Sequence, residues 1–408
     1  MEDKILPPLH DMITPRLPVL SRKSQVHLIQ VTYLPRYPIQ VSSNRTIALF
    51  LPDLASGGAE RVLLTLSRYL VAENYRVDIV LGRARGEFLE HVPESVRVID
   101  CSAGFPLPTM IGLALNSFIG LFFYIRRERP AVLLSSLSRA NIVAVLAARI
   151  AGTGTRIVLR EANTFHNTGR FTRFFIKHAY PRADIIVAVS NGIARDLYTL
   201  RTLPREKVRV IYNPVDIEKV RGLASLDPGH PWFAVDAPPV ILGIGRLSPQ
   251  KDFGTLIRAF AQLRKTRDAR LLILGEGAER VSLESLVEEL DLGDCVSMPG
   301  YVENPYAYIH RAAMVAVSSR WEGMINVIIE AIAVGTQVVS TDCHSGPSEI
   351  LDEGRIGRLV AVGDEDALCK AMISMLDSPD DAESLQSRAT EFSSRKILPE
   401  YLGVLIGK

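Results

Sequence analysis

Ser318-Ser319-Arg320-Trp321-Glu322-Gly323-Met324-Ile325-Asn326-Val327-Ile328-Ile329-Glu330-Ala331-Ile332 is the stretch around which this chain is organised. It follows a short apolar run, Met314 to Val317, that reads as a buried parallel strand. After the turn, Val327, Ile328, Ala331, Ile332 and Val334 recur at helical spacing, so a helix is predicted from Ile325 or Asn326. Gly323 lets backbone pass close to a ligand, and the first helical N–H groups, with Met324, Ile325 and Asn326, point at whatever binds there. Such a helix tip is an anion seat. Glu322 and Glu330 bracket it, and carboxylates accept hydrogen bonds from neutral hydroxyls. A phosphate seat between two hydroxyl readers suits a sugar nucleotide. Without a ligand the same residues would be a solvated helix acid and a loop acid favouring the macrodipole.

A second strand, loop and helix unit opens at Val240-Ile241-Leu242-Gly243-Ile244-Gly245-Arg246-Leu247-Ser248-Pro249-Gln250-Lys251-Asp252. The third glycine of a dinucleotide fingerprint is Ser248, so a nicotinamide site fails on spacing. Arg246 and Lys251 instead supply a guanidinium fork and a point charge suited to a diphosphate. Near the start, the run Thr46 to Pro52 leads into Gly57-Gly58-Ala59-Glu60-Arg61 and an apolar-periodic helix. That layout is a phosphate cradle, or a tight turn that needs glycine. Short strands alternating with helical patterns continue through Arg76 to Leu81, Val96 to Ile99, Ala131 to Ser135, Arg156 to Leu159, Asp184 to Val189 and Val208 to Ile211, predicting parallel sheets covered on both faces.

These motifs resemble retaining glycosyltransferases of the GT-B fold, specifically glycosyltransferase family 4. The opening stretch is similar to the family's Glu-Gly-x-Pro-Asn-Val-Leu-Glu-Ala signature, with Ile325 where proline is usual. Gly-Arg-Leu-Ser-Pro-Gln-Lys-Asp is close to its Gly-Arg-Leu-x-x-x-Lys-Asp, and Gly-Gly-Ala-Glu-Arg-Val to its N-terminal loop. Asn213-Pro214-Val215-Asp216, turn chemistry on any fold, resembles the family's approach to the interdomain linker. The resemblance spans Gly57 to Ile350 and implies two Rossmann-like domains whose parallel sheets face each other across a cleft. It implies that Arg246 and Lys251 neutralise the leaving diphosphate, with Glu330 on the ribose and Glu322 on the sugar. Gly57, Gly58, Gly245 and Asn213 would complete the donor site. At the end of the Arg156 to Leu159 run, Glu161 and Asn163 best match a pair that faces the donor sugar in relatives; His166 falls three residues late and takes no such role.

At 408 residues the chain exceeds one core. The expected division is a poorly ordered, proline-rich extension 1–45, a first domain 46–222, a linker 223–239, a second domain 240–395, and a segment 396–408 returning to the first. Four scattered cysteines, Cys101, Cys295, Cys343 and Cys369, signal neither zinc nor disulfides. No Asp-x-Asp motif stands out, so no metal or other cofactor is expected. Residues 1–225 carry 30 basic against 18 acidic side chains, the remainder 17 against 27. A basic first half implies an anionic partner, and with no aromatic-basic RNA signature, nucleic acid is not expected.

Met110 to Ile125 is nearly all apolar and ends in Arg126-Arg127-Glu128-Arg129. It falls short of the roughly 20 residues of a spanning helix, so a buried helix and an interfacial one are the main readings, with a true span a separate alternative. Arg170-Phe171-Thr172-Arg173-Phe174-Phe175-Ile176-Lys177-His178, if helical, puts three phenylalanines on one face beside basic residues. Both stretches favour peripheral contact with an anionic membrane. The expectation is a cytoplasmic enzyme at the inner face of the membrane, with no signal peptide. It would move a sugar, N-acetylhexosamine or hexose, from a nucleotide-diphosphate donor, expected to be UDP-linked, to a glycan or polyprenyl-linked acceptor in cell-surface polysaccharide or glycoconjugate synthesis. A GT-B sugar-nucleotide epimerase and a non-catalytic nucleotide-sugar binder are the alternatives.

Overall fold

The computed structural model describes residues 32–33, 45–55, 57–102, 110–165 and 168–407. They form two sheets. The first runs, edge to edge, Thr32–Tyr33, Arg97–Asp100, Arg76–Leu81, Thr46–Leu51, Val132–Ser136, Arg156–Glu161, Ile185–Ala188 and Val208–Val210. Only the two-residue Thr32–Tyr33 strand is antiparallel, pairing Thr32 with Asp100. Thr32–Tyr33 of the expected extension thus joins the sheet; apart from Arg45, the rest of 1–45, like His166, lies outside the described residues. The second sheet runs Val296–Gly300, Arg270–Leu274, Val240–Ile244, Met314–Val317, Gln337–Thr341 and Arg358–Val360, all parallel.

Strand alternation distributes the apolar runs. Ala48 and Phe50 enter one core, while Ile47, Leu49 and Leu51 enter the other. In the second sheet Leu242 and Val315 face one side and Ile241 and Met314 the other. One core holds residues of both sheets.

In each sheet the strand order reverses once. The first reverses between Thr46–Leu51 and Val132–Ser136, the second between Val240–Ile244 and Met314–Val317. Ligands collect at the carboxyl ends of strands at such points. The glycine loop leaves the first reversal; the Arg246 to Lys251 loop and the Ser318 to Gly323 turn leave the second.

Helices α1 (Gly58–Ala72), α2 (Met110–Glu128), α3 (Ser138–Ala151), α4 (Arg170–Ala179) and α5 (Asn191–Tyr198) belong to the first domain. α2 packs along α3 and buries Leu121, Tyr124 and Ile125. Its C-terminal end is tied to the sheet by fully buried Asp78, which accepts from Tyr124 OH (2.7 Å) and from Arg97 Nε (3.0 Å) and Nη2 (2.6 Å); Glu128 also takes Arg97 Nη2 (2.7 Å). Among the described residues no helix is long and apolar enough to cross a membrane. α2 nevertheless leaves Leu115 and Phe123 outward, and α4 leaves Phe171 and Phe174 outward at 77% and 57% exposure.

The final helix, Ser394–Ile406, buries Ile397, Leu398, Tyr401 and Leu405 in the first-domain core. The backbone therefore passes between domains twice. The two passages touch: Val215 N donates to Phe392 O (3.0 Å) and Ser394 N to Val215 O (2.8 Å). Further contacts close the domains together. Glu349 accepts from the N–H groups of Asn191 (2.7 Å) and Gly192 (2.9 Å) at the tip of α5. Ser190 and Ser345 hydroxyls meet at 2.5 Å, and His344 Nε2 lies 2.9 Å from Asp196 Oδ1.

Candidate active site

The helix over the opening stretch spans Asn326–Ala333, with Ile325 as its extended N-cap. The turn before it is stitched to the Arg246–Lys251 loop. Arg320 N donates to Gln250 O (2.8 Å), Ser318 Oγ to Lys251 O (2.8 Å), and Gln250 Nε2 to Trp321 O (3.0 Å). Lys251 Nζ reaches Glu322 Oε1 at 2.5 Å, where Ser319 Oγ also donates (2.9 Å), and Gln250 Nε2 takes Oε2 (3.1 Å). Gly245, at φ +156°, lies against the Lys251 stem; a Cβ there would be 2.9 Å from Cε. The cation and the turn that leads into the helix are thus one hydrogen-bonded unit. Arg246 is exposed and within electrostatic range of Glu60 across the cleft.

Glu322 differs from its expected use. Its oxygens accept from Lys251, Ser319 and Gln250, which ties it to the cation. Glu161 departs further. It is fully buried, accepting from Ser138 Oγ (3.0 Å), the Ala162 and Asn163 N–H groups (3.1 and 3.0 Å) and Tyr180 OH. Burial pushes its carboxyl up, and these donors pull it back. A carboxylate so satisfied braces the strand end and does not face a sugar. Asn163 is exposed.

Glu330 occupies the cleft. Its Oε1 takes Arg61 Nη1 from the first domain (3.4 Å) and Tyr306 OH (3.5 Å). Burial raises its carboxyl above the ordinary value and Arg61 opposes the rise. A cavity of about 380 Å³ lies here, lined among others by Arg61, Asp216, Tyr306, Asn326 and Glu330. Asn213 Nδ2 donates to Asn326 Oδ1 (2.8 Å) while its own Oδ1 accepts from Arg160 Nη2 (2.5 Å). The glycine loop faces the same helix tip: a Cβ on Gly58 would lie 3.9 Å from Asn326 Nδ2. Gly57 is the N-cap of α1. On the other side, a Cβ on Gly323 would lie 1.9 Å from Ala162 O. Both domains therefore close on the predicted anion seat.

Arg61, Tyr306 and Arg160 are contributors that motif reading left without a role. Arg160, 1% exposed, donates Nε to Tyr401 OH (3.2 Å) and Nη1 to Ser136 Oγ (3.0 Å), besides Asn213. Arg61 and Arg160 stand beside residues that were singled out; nothing around Tyr306 marks it. Among the described residues, no group of three or more acidic, histidine or cysteine side chains is placed to hold a metal ion.

Comparison with known proteins agrees with this architecture. The solved Anabaena Alr3699/HepE in complex with UDP and glucose superposes with a TM-score of 0.75 at 19% identity, covering 90% of this chain and 100% of that one. Two Rossmann-like domains closed on one cleft make this a glycosyltransferase of the GT-B class. The description Glycosyltransferase Family 4 matches residues 56–219 and Glycosyl transferases group 1 matches 231–392. A Campylobacter jejuni N-acetylgalactosamine-N,N'-diacetylbacillosaminyl-diphospho-undecaprenol 4-alpha-N-acetylgalactosaminyltransferase is 32% identical over 377 residues, 88% of this chain and 99% of the relative. A second enzyme of that organism, a GalNAc-alpha-(1->4)-GalNAc-alpha-(1->3)-diNAcBac-PP-undecaprenol alpha-1,4-N-acetyl-D-galactosaminyltransferase, is 27% identical over 368 residues, 88% of this chain and 98% of its own. The chain belongs to glycosyltransferase family 4.

Proposed function

We propose that this enzyme transfers an N-acetylhexosamine or hexose, with retention, from a UDP-sugar to a lipid-linked glycan. The reading is carried by one observation: Lys251 is hydrogen-bonded to Ser318 and Glu322 of the turn that leads into the Asn326–Ala333 helix, at the reversal point of the second sheet. Cationic and N–H donors so fixed stabilise charge growing on a departing diphosphate, usually the largest catalytic contribution. Arg246 adds its charge from the same loop. Glu330 takes ribose hydroxyls in exchange for Arg61. The attacking hydroxyl enters on the face the diphosphate leaves, and a diphosphate oxygen collects its proton, so no carboxylate nucleophile is required. The site needs no divalent ion. Its donor and acceptor classes are supported by the Campylobacter relatives, whose names specify N-acetylgalactosaminyl transfer to undecaprenyl-diphosphate-linked glycans.

The acceptor's lipid would reside in a membrane that the first domain meets through α2 and α4. The outward Leu115, Phe123, Phe171 and Phe174, beside Arg170 and Lys177, suit insertion at an anionic interface. The test is a panel of UDP-sugars with undecaprenyl-diphosphate oligosaccharides in EDTA. Mass spectrometry would identify the product and NMR the anomeric configuration. A β-linkage from an α-linked donor, or isomerised donor with no product, rejects the reading.

A further inference from the structure

Glu60 is the acid of the glycine loop, and neither the diphosphate seat nor the ribose site uses it. It sits on the first turn of α1, 8% exposed, and its carboxylate folds back over Gly57; a Cβ there would lie 2.3 Å from Oε2. Among the described residues no cation comes within ion-pair distance of it. The Asp53 carboxylate and two cations act on it from further off, Arg160 from the first domain and Arg246 from the second. Arg160 is itself held only by the neutral oxygens of Ser136, Asn213 and Tyr401. A guanidinium has five N–H donors, and three are used.

A helix N-terminus is served equally well by a solvated acid. Burying a carboxylate near two guanidinium groups without letting them touch is costly unless a polar group comes between. Glu60 also stands at the reversal of the first sheet, opposite the diphosphate cations of the second, where an acceptor held by the first domain must present its hydroxyl.

We infer that the Glu60 carboxylate receives the attacking hydroxyl of the acceptor sugar and aims its oxygen at the anomeric carbon of the donor. The inference rests on the transfer proposed above. In that step the C1–O bond to the diphosphate breaks and its electron pair leaves with the diphosphate. The acceptor oxygen forms the new C1–O bond. Its proton passes to a diphosphate oxygen, and Glu60 remains a carboxylate throughout.

The test compares wild type with Glu60→Gln, Glu60→Ala and Glu60→Asp. UDP-N-acetylgalactosamine and an undecaprenyl-diphosphate-linked N-acetylhexosamine oligosaccharide serve as substrates. Expected is a loss of about 10- to 100-fold in kcat/KM for the acceptor in Gln and Ala, the worth of a hydrogen bond to a charged group. Partial recovery is expected in Asp. UDP affinity by calorimetry and Tm should stay at wild-type values, and the share of donor lost to hydrolysis should rise. Transfer within threefold of wild type in Glu60→Ala, or UDP affinity falling in step with transfer, overturns this assignment alone. A wild type that transfers to no lipid-linked acceptor overturns it together with the function it rests on.

Discussion

Lys251 Nζ lies 2.5 Å from Glu322 Oε1, so the cation proposed to meet the diphosphate is held by the acid of the turn before the Asn326–Ala333 helix. The two side chains act as one device. Lys251→Ala is expected to lower kcat by about 10²–10³, the scale seen when one fixed transition-state donor is removed. Glu322→Gln should cost a similar factor by releasing Lys251. The double variant should be no worse than the poorer single one, because coupled residues fail together. Independent, additive losses in kcat would show that the pair is not a unit.

Glu330, as the proposed ribose acceptor, should make donor binding sensitive to pH. Its carboxyl is raised by burial above the ordinary 4.5. A raised acid contributes stability that is present below its unfolded value and is lost as pH rises through its folded value. Accepting ribose hydroxyls has the opposite preference, since the ionised form accepts better. UDP affinity measured by calorimetry should therefore weaken on acidification, with a midpoint above 4.5. Arg61→Ala removes the opposing charge and should move that midpoint upward, while Glu330→Gln should abolish it. A midpoint below 4.5 contradicts the assignment.

Gly323 is required by its neighbour across the cleft. A Cβ there would sit 1.9 Å from Ala162 O, a contact no side chain tolerates. Gly323→Ala should therefore prop the domains apart, lowering kcat by about 10²-fold through misplacement of the reacting groups. UDP affinity should fall much less. Equal losses in both would place the defect inside the second domain.

Asp78 secures the C-terminal end of α2 and is fully buried beneath Arg97, Tyr124 and Glu128. Removing one partner of a buried ionic network costs about 3–5 kcal/mol. Asp78→Ala should lose that much in denaturant unfolding, whereas Tyr124→Phe, which deletes one hydrogen bond, should lose about 1–3 kcal/mol.

Phe171 and Phe174 test the membrane face. Replacing both with serine should abolish flotation with phosphatidylglycerol vesicles and leave UDP affinity at its wild-type value. High salt should weaken wild-type binding through the basic neighbours. Undiminished flotation of the double variant would remove α4 from the membrane contact.

Much of the fold is legible in the chain because its strands are near-continuous apolar runs set between helical periods. The helix start at Asn326 is legible for a similar reason, and Ile325, where proline is usual in the family, is its extended N-cap at φ −102°. Glu161 is not legible. Alternation along a strand puts neighbours on opposite faces, and a strand end does not announce which face meets the ligand. Here Arg160 joins the network reaching Asn326, and Glu161 turns to Tyr180. The Arg61–Glu330 contact is hidden for another reason. Its partners stand 269 positions apart, and only the closure of two domains brings them together.

The paired backbone of Val215 and Ser393 gives the enzyme a single axle where two separate tethers would have allowed a loose wobble. Swinging about an axle displaces nearby atoms least. Asn213, two positions away, can keep its grip on Asn326 while the outer rim opens. A nucleotide sugar can thus enter and a spent nucleotide depart through a widening mouth, with the floor of the cleft left standing between turnovers.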